Sequence, residues 1–172
     1  MTTLMRGAQQ LLITVLPVLL GACGFHLRSY ELDSSVASVH VATTGNNVAT
    51  EPLTRALRQA GVTLSPVADE AEVVVELLDD RQDRRSVSVT ETSRAAEYET
   101  TIGIRYSVVK PDKVVLIPPS WVQTTRIYRV DRVNIVGSSE EQALLEREMV
   151  NDLVQQILRA LDAATRESAG AA

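Results

Sequence analysis

The sequence predicts an α+β fold: a single domain of two amphipathic helices packed on one face of a four-stranded, mixed or antiparallel sheet. Three patterns predict it. Residues 97–108 alternate with period two: Tyr98, Thr100, Ile102, Ile104, Tyr106 and Val108 share one side, and Glu97, Glu99, Thr101, Arg105 and Ser107 share the other. That is a strand with one dry and one wet face. Leu145, Met149, Val150, Leu153, Val154, Ile157, Leu158 and Leu161 form a sustained stripe of helical spacing near the C-terminus, and Leu53, Ala56, Leu57 and Ala60 form a shorter one. Two helices with one apolar face each need a common surface, and a half-wet sheet supplies it.

In chain order, "SVASVHVAT" (35–43) alternates and reads as the first strand, followed by the turn "TGNNV". The helix "EPLTRALRQA" (51–60) has Pro52 in its first turn and Gly61 placed as a left-handed cap, with Arg55, Arg58 and Gln59 facing away from its stripe. "AEVVVELLDD" (71–80) is a strand with Val73, Val75 and Leu77 on one face; Glu72, Val74, Glu76 and Leu78 share the other, which is expected to be only partly covered. A second alternation, "RSVSVTE" (85–91), leads through a turn at 92–96 into the long strand. After "KPDK" (110–113), strand pattern returns at 114–117 and 121–130. Pro118 and Pro119 separate the two pieces and imply a bulge or a sheet edge. The last helix is expected near 139–162, with Ser138 and Glu141 as a capping box and 165–172 as a frayed tail. No repeat or interior boundary divides the chain, so the domain is placed at 35–164.

The N-terminus carries a different signal. Residues 1–10 are polar with one cation, Arg6; residues 11–20, "LLITVLPVLL", are apolar; Gly21, Ala22 and Cys23 follow. Charged, apolar and small-residue segments in that order make a signal peptide. The apolar run is shorter than the ~20 residues a membrane-spanning helix needs. Leu20-Gly21-Ala22-Cys23 resembles the bacterial lipobox, in which the cysteine thiol is lipidated and the chain is cut just before it. Cys23 is thus expected to be the lipidation site, with 1–22 as signal peptide and 23–34 as the segment leading from lipid to domain. Two or more acyl chains make a stable anchor. Gly24, rather than Asp, resembles the sorting pattern for the outer membrane, on its periplasmic side.

Composition narrows the chemistry. The net charge is −5, and aromatic residues make up 3% of the chain. Such a chain has no global attraction to nucleic acid and few platforms for stacking bases. No G-x-S-x-G, glycine-rich phosphate loop or Cys/His pair is present, and His26 and His40 are too few for a histidine metal site. No catalytic residue, metal ligand or cofactor is expected. Arg81, Arg84, Arg85 and Arg94 are interspersed with Asp79, Asp80, Asp83 and Glu91; Arg126, Arg129 and Arg132 recur at steps of three with Asp131. These arginines read either as a solvated charge mixture or as forks for phosphate or carboxylate.

Four stretches carry a family resemblance: "CGFHLR" (23–28), "PLTRALRQAGV" (52–62), "AAEYETTIGIRYSV" (95–108), and "EREM" (146–149) leading into the final apolar stripe. In order and spacing they resemble the LptE family of lipopolysaccharide-assembly lipoproteins, over nearly the whole chain from Cys23. The resemblance implies a non-enzymatic outer-membrane lipoprotein that plugs the LptD β-barrel in a one-to-one complex and helps assemble it. It also implies assistance to lipopolysaccharide delivery to the outer leaflet, and lipopolysaccharide contact through basic residues near the strand-connecting loops. Arg94 stands near one such position, and Arg84, Arg85 and Arg126 are further candidates; at a second position this chain has the uncharged Ser138 and Ser139. Two other readings stay open: a periplasm-facing, lipid-anchored module binding another envelope protein or an apolar ligand, and a lipid-anchored hydrolase, which the missing nucleophile and base disfavour.

Overall fold

A computed structural model describes residues 36–89, 95–131 and 135–170. Cys23 and Arg94, the expected signal peptide (1–22) and the expected lipid-to-domain segment (23–34) lie outside the described residues. The elements are β1 (Ser38–Thr43), α1 (Thr50–Gln59), β2 (Thr63–Leu64), a 3₁₀ turn (Ala68–Glu70), β3 (Val73–Val89), β4 (Ala95–Val109), β5 (Val115–Asp131) and α2 (Ile135–Gly170). They form one mixed sheet of order β2-β1-β3-β4-β5; β1 pairs parallel with β2 and β3, and the β3-β4-β5 ribbon is antiparallel.

Both helices feed one core. Leu53 and Leu57 of α1, and Met149, Leu153, Val154, Ile157 and Leu161 of α2, pack with Val73, Val75, Leu77, Ile102, Ile104 and Tyr106. Val39, Leu53, Leu57, Leu153 and Ile157 are fully buried, and each large aliphatic side chain buried this way contributes about 1.5–3 kcal/mol. The helix stripes and the β4 parity therefore point where the sequence says.

The expected cap at Gly61 (φ +83°) is present in full. Gly61 N–H donates to the Arg58 carbonyl and Val62 N–H to that of Leu57, the paired bonds of a Schellman ending, with the Val62 and Leu57 side chains both in the core.

That ending also produces a departure from expectation: the sheet has five strands, not four. The chain leaving Gly61 runs beside β1, where Ser38 pairs with Thr63 and Val39 with Leu64. Two residues are too few for an alternation to register.

The segments 71–80 and 85–91 are one strand rather than two. The polar stretch "RQDR" (81–84) between them carries no alternation, because residues 81–88 of β3 are exposed on both sides and no burial imposes one there. Pro118 and Pro119 likewise do not split β5. It runs through them, and they sit both at a register irregularity and on the sheet edge, since β5 is the outermost strand.

The last helix is longer than 139–162 at both ends. Ser138 lies inside it, 8% exposed, so it is not the helix cap. The stretch 165–170, expected as tail, is helical; Thr165 is buried and its hydroxyl donates to the Leu161 carbonyl.

Candidate functional site: the two faces of the ribbon

Residues on neighbouring ribbon strands stand in rows fixed by register. One row is Arg84, Thr100 and Arg126; the next along the same face holds Ser86, Tyr98 and Tyr128. This is the helix side of the sheet. The Arg84 guanidinium lies 4.0 Å above the Tyr98 ring and 5.7 Å from that of Tyr128, and the two rings stack at 6.0 Å. Arg84 Nη1 reaches Gln142 of α2 at 3.5 Å, and Arg126 Nη2 donates to Asp152 of α2 at 3.1 Å. Tyr128 is buried, and burial pushes its phenol above the ordinary tyrosine range. Its hydroxyl has no hydrogen-bond partner among the described residues.

The opposite, open face carries Arg85, Glu97, Glu99, Thr101, Trp121, Thr125, Ile127 and Arg129. Arg85 Nε donates to Glu99 at 2.7 Å, which raises the arginine pKa further. Glu97 accepts from the Ser88 hydroxyl (2.8 Å) and from Arg129 (3.2 Å), and these bonds, Ser88 first, hold its carboxyl below the usual range. The Thr101 and Thr125 hydroxyls meet at 2.9 Å. Farther along, Arg81 crosses the whole width of β4 to lie 4.4 Å over the Trp121 ring and donates to Gln123 at 2.8 Å. Gly103 makes that crossing possible. A Cβ there would stand 3.2 Å from Arg81 Nε and 3.3 Å from Trp121 Cε3.

Of the arginines singled out from the sequence, Arg84 and Arg126 share the helix side. Arg85 is on the open side, because adjacent strand residues point oppositely. The structure does not gather these three into one pocket, and each already holds an aromatic or carboxylate partner. The sequence reading missed the aromatic partners. Low aromatic content discounts stacking platforms, yet Tyr98, Tyr128 and Trp121 all serve as such for arginine. The usable signal was Arg81 opposite Gly103, with Trp121 on the third strand two residues from the Gly103 partner Gln123, and seeing it needs a register.

His40, set aside as a metal ligand, meets the Ser65 carbonyl through Nδ1 at 2.9 Å. No group of three or more His, Cys, Asp or Glu is arranged for a metal among the described residues. No helix among them is long and apolar enough to cross a membrane. A cleft of about 460 Å³ opens between α1 and α2, with Val48, Pro52, Ile102 and Val150 among its apolar lining and Arg55, Glu146 and Arg147 among its charged lining.

The fold and these residues can be set against known proteins. The chain is 23% identical over 156 residues to the LPS-assembly lipoprotein LptE of Photorhabdus laumondii, covering 88% of this chain and 83% of that one. In structure it is similar to the rare lipoprotein B of Shewanella oneidensis, with a TM-score of 0.64, 24% identity, and coverage of 77% of this chain and 98% of that one. It is also similar to lipoprotein B of Nitrosomonas europaea, with a TM-score of 0.69, 22% identity, and coverage of 83% and 93%. The profile of the LptE family, described as lipopolysaccharide-assembly, matches residues 36–161, from the start of the described domain to the last core leucine of α2. The chain belongs to the LptE family of lipopolysaccharide-assembly lipoproteins.

Proposed function

We propose that the chain is the non-enzymatic outer-membrane lipoprotein that fills the lumen of the LptD barrel, supports its assembly, and assists lipopolysaccharide delivery to the outer leaflet. The observation that carries this reading is the family match across the whole core, residues 36–161. The physics is compatible: a wide barrel has a polar lumen that another folded element can fill, and the open face of the ribbon is a mixture of ion pairs and hydroxyls rather than a broad apolar patch. Acyl chains on Cys23 hold the domain at the inner leaflet. Lipid A phosphates meet exposed arginines, with Arg94 the first choice and Arg84, Arg85 and Arg126 behind it. Affinity purification of the chain from native envelopes tests the main claim. LptD is expected in stoichiometric amount, and clean recovery without it overturns the reading. For the lipid contact, Arg94→Glu is expected to weaken binding to immobilised lipopolysaccharide; unchanged binding removes Arg94.

A further inference from the structure

The ribbon ends in an unusual edge. From Trp121 to Asp131, β5 pairs residue by residue with β4, and both register irregularities of that pair lie before Trp121. On its outer side no strand lies among the described residues. Proteins ordinarily blunt such an edge with proline, a bulge, charged side chains, shortness, or a covering helix or loop. Pro118 and Pro119 do so only for the stretch that precedes Trp121. Beyond them "WVQTTRIYRV" is uninterrupted, and seven of its ten residues are β-branched or aromatic. Trp121 and Ile127, 39% and 60% exposed, stand beside this edge on the open face. Among the described residues, α2 packs on the helix side of β5, and at the edge itself the Arg126 side chain reaches the backbone, its Nη1 donating to Thr125 O at 3.2 Å. The opposite edge, β2, is two residues long and offers no comparable template.

We infer that the outer edge of β5, residues 121–131, is a strand-addition site that takes one extended segment of the barrel partner. This rests on the reading given under Proposed function. Backbone hydrogen bonds would supply the affinity and alternate side chains the selectivity. The charge pattern says which guest fits. Between Lys113 and Asp131 the only charged residues are Arg126 and Arg129, so pairing with a second copy would set arginine near arginine with no carboxylate between, and like charges across strands are destabilising. Both guanidiniums are roughly half or more exposed despite their inner partners Asp152 and Glu97. A guest strand carrying carboxylates opposite them, and an apolar residue near Ile127, is complementary. It would run for about 33 Å at the ordinary rise of a strand.

Residue-resolved amide hydrogen exchange on the lipoprotein, free and in purified complex with LptD, tests this. In the free protein, alternate amides of 121–131 point outward and exchange fast. In the complex those same amides are expected to slow by about 100-fold or more, in a period-two pattern, while the inward ones do not change. Thr124→Pro and Thr125→Pro supply a second check, because adjacent N–H groups point to opposite sides. One variant should keep the melting curve and lose the complex; the other should lose the fold. A complex that forms with the outward amides still fast overturns the edge assignment and leaves the barrel reading standing, whereas failure to form any complex overturns both. Protection in the free protein that grows with its own concentration identifies a second copy as the guest and also overturns the assignment.

Discussion

Gly103→Ala is the most discriminating single change in the ribbon. The new methyl would lie 3.2 Å from Arg81 Nε and 3.3 Å from Trp121 Cε3. Both neighbours are side-chain atoms on an open surface, so the side chains yield and the strand stays. What is lost is the cation–π contact, about 0.5–1 kcal/mol at an exposed site, and the Arg81–Gln123 hydrogen bond, about 0.5–1 kcal/mol. What is gained is the lower unfolded-state entropy of alanine in a strand, about 0.5–1 kcal/mol. The balance is a destabilisation of about 0–1.5 kcal/mol, or a Tm lower by about 0–6 °C at this chain length. Stability is therefore a weak readout, and fluorescence is a strong one. Trp121 is the only tryptophan in the chain, so its emission reports this contact alone. Acrylamide quenching should increase in Gly103→Ala, and likewise in Arg81→Ala, which removes the cation without adding a methyl. Unchanged quenching in both variants would refute the sandwich. A Tm loss beyond about 10 °C in Gly103→Ala would refute the claim that only side chains move.

Three further outcomes follow from the same physics. Leu153→Ala, at a fully buried position of α2, should cost about 2–5 kcal/mol in urea unfolding. Tyr128→Phe removes a buried hydroxyl that has no partner among the described residues, and should leave stability unchanged or raise it by about 1 kcal/mol. Burial raises the pKa of Tyr106 and Tyr128 in the folded state. Between the unfolded value near 10 and the folded value the native state holds more protons, so the contribution of these two tyrosines is constant below about pH 10 and is lost as pH rises beyond it. The double Tyr→Phe variant should flatten that fall in melts recorded between pH 9 and 12.

The sequence showed those parts of the fold that bury one side chain in two or in three to four. The β4 alternation and both helix stripes are consequences of a single core, and the glycine cap is a local steric demand that needs no tertiary context. The rest was hidden for physical reasons. β2 is two residues long. The distal half of β3 is wet on both faces, so its polar residues 81–84 hide the continuity between two strand-like stretches that the ladder with β4 holds as one. The ends of α2 extend past the apolar stripe because helix propensity and local bonds, such as Thr165 to Leu161 and Arg166 to Asp162, carry it where core packing stops.

The candidate site was legible as a set of residue types but not as an arrangement, and the difference constrains mechanism. Arg84 and Arg85 are neighbours in sequence, which suggests one fork for one phosphate. On a strand they face opposite ways, and the sheet lies between their guanidiniums. Arg126 shares a face and a row with Arg84, but Thr100 stands between them, so their backbones are two strand spacings apart, about 10 Å. The exposed pair of Arg126 with Asp152 gains only about 0–1 kcal/mol, and the Arg85 pair with Glu99 leaves its guanidinium open to solvent. A doubly charged phosphate could therefore compete for either arginine. It could not take Arg84 and Arg85 together. Any high-charge ligand bound through these arginines must use one face of the ribbon. Charge reversal then separates the cases: Arg84→Glu and Arg85→Glu should weaken lipopolysaccharide binding unequally if one face is used. Equal losses from the two variants, adding in the double, would refute a one-face site.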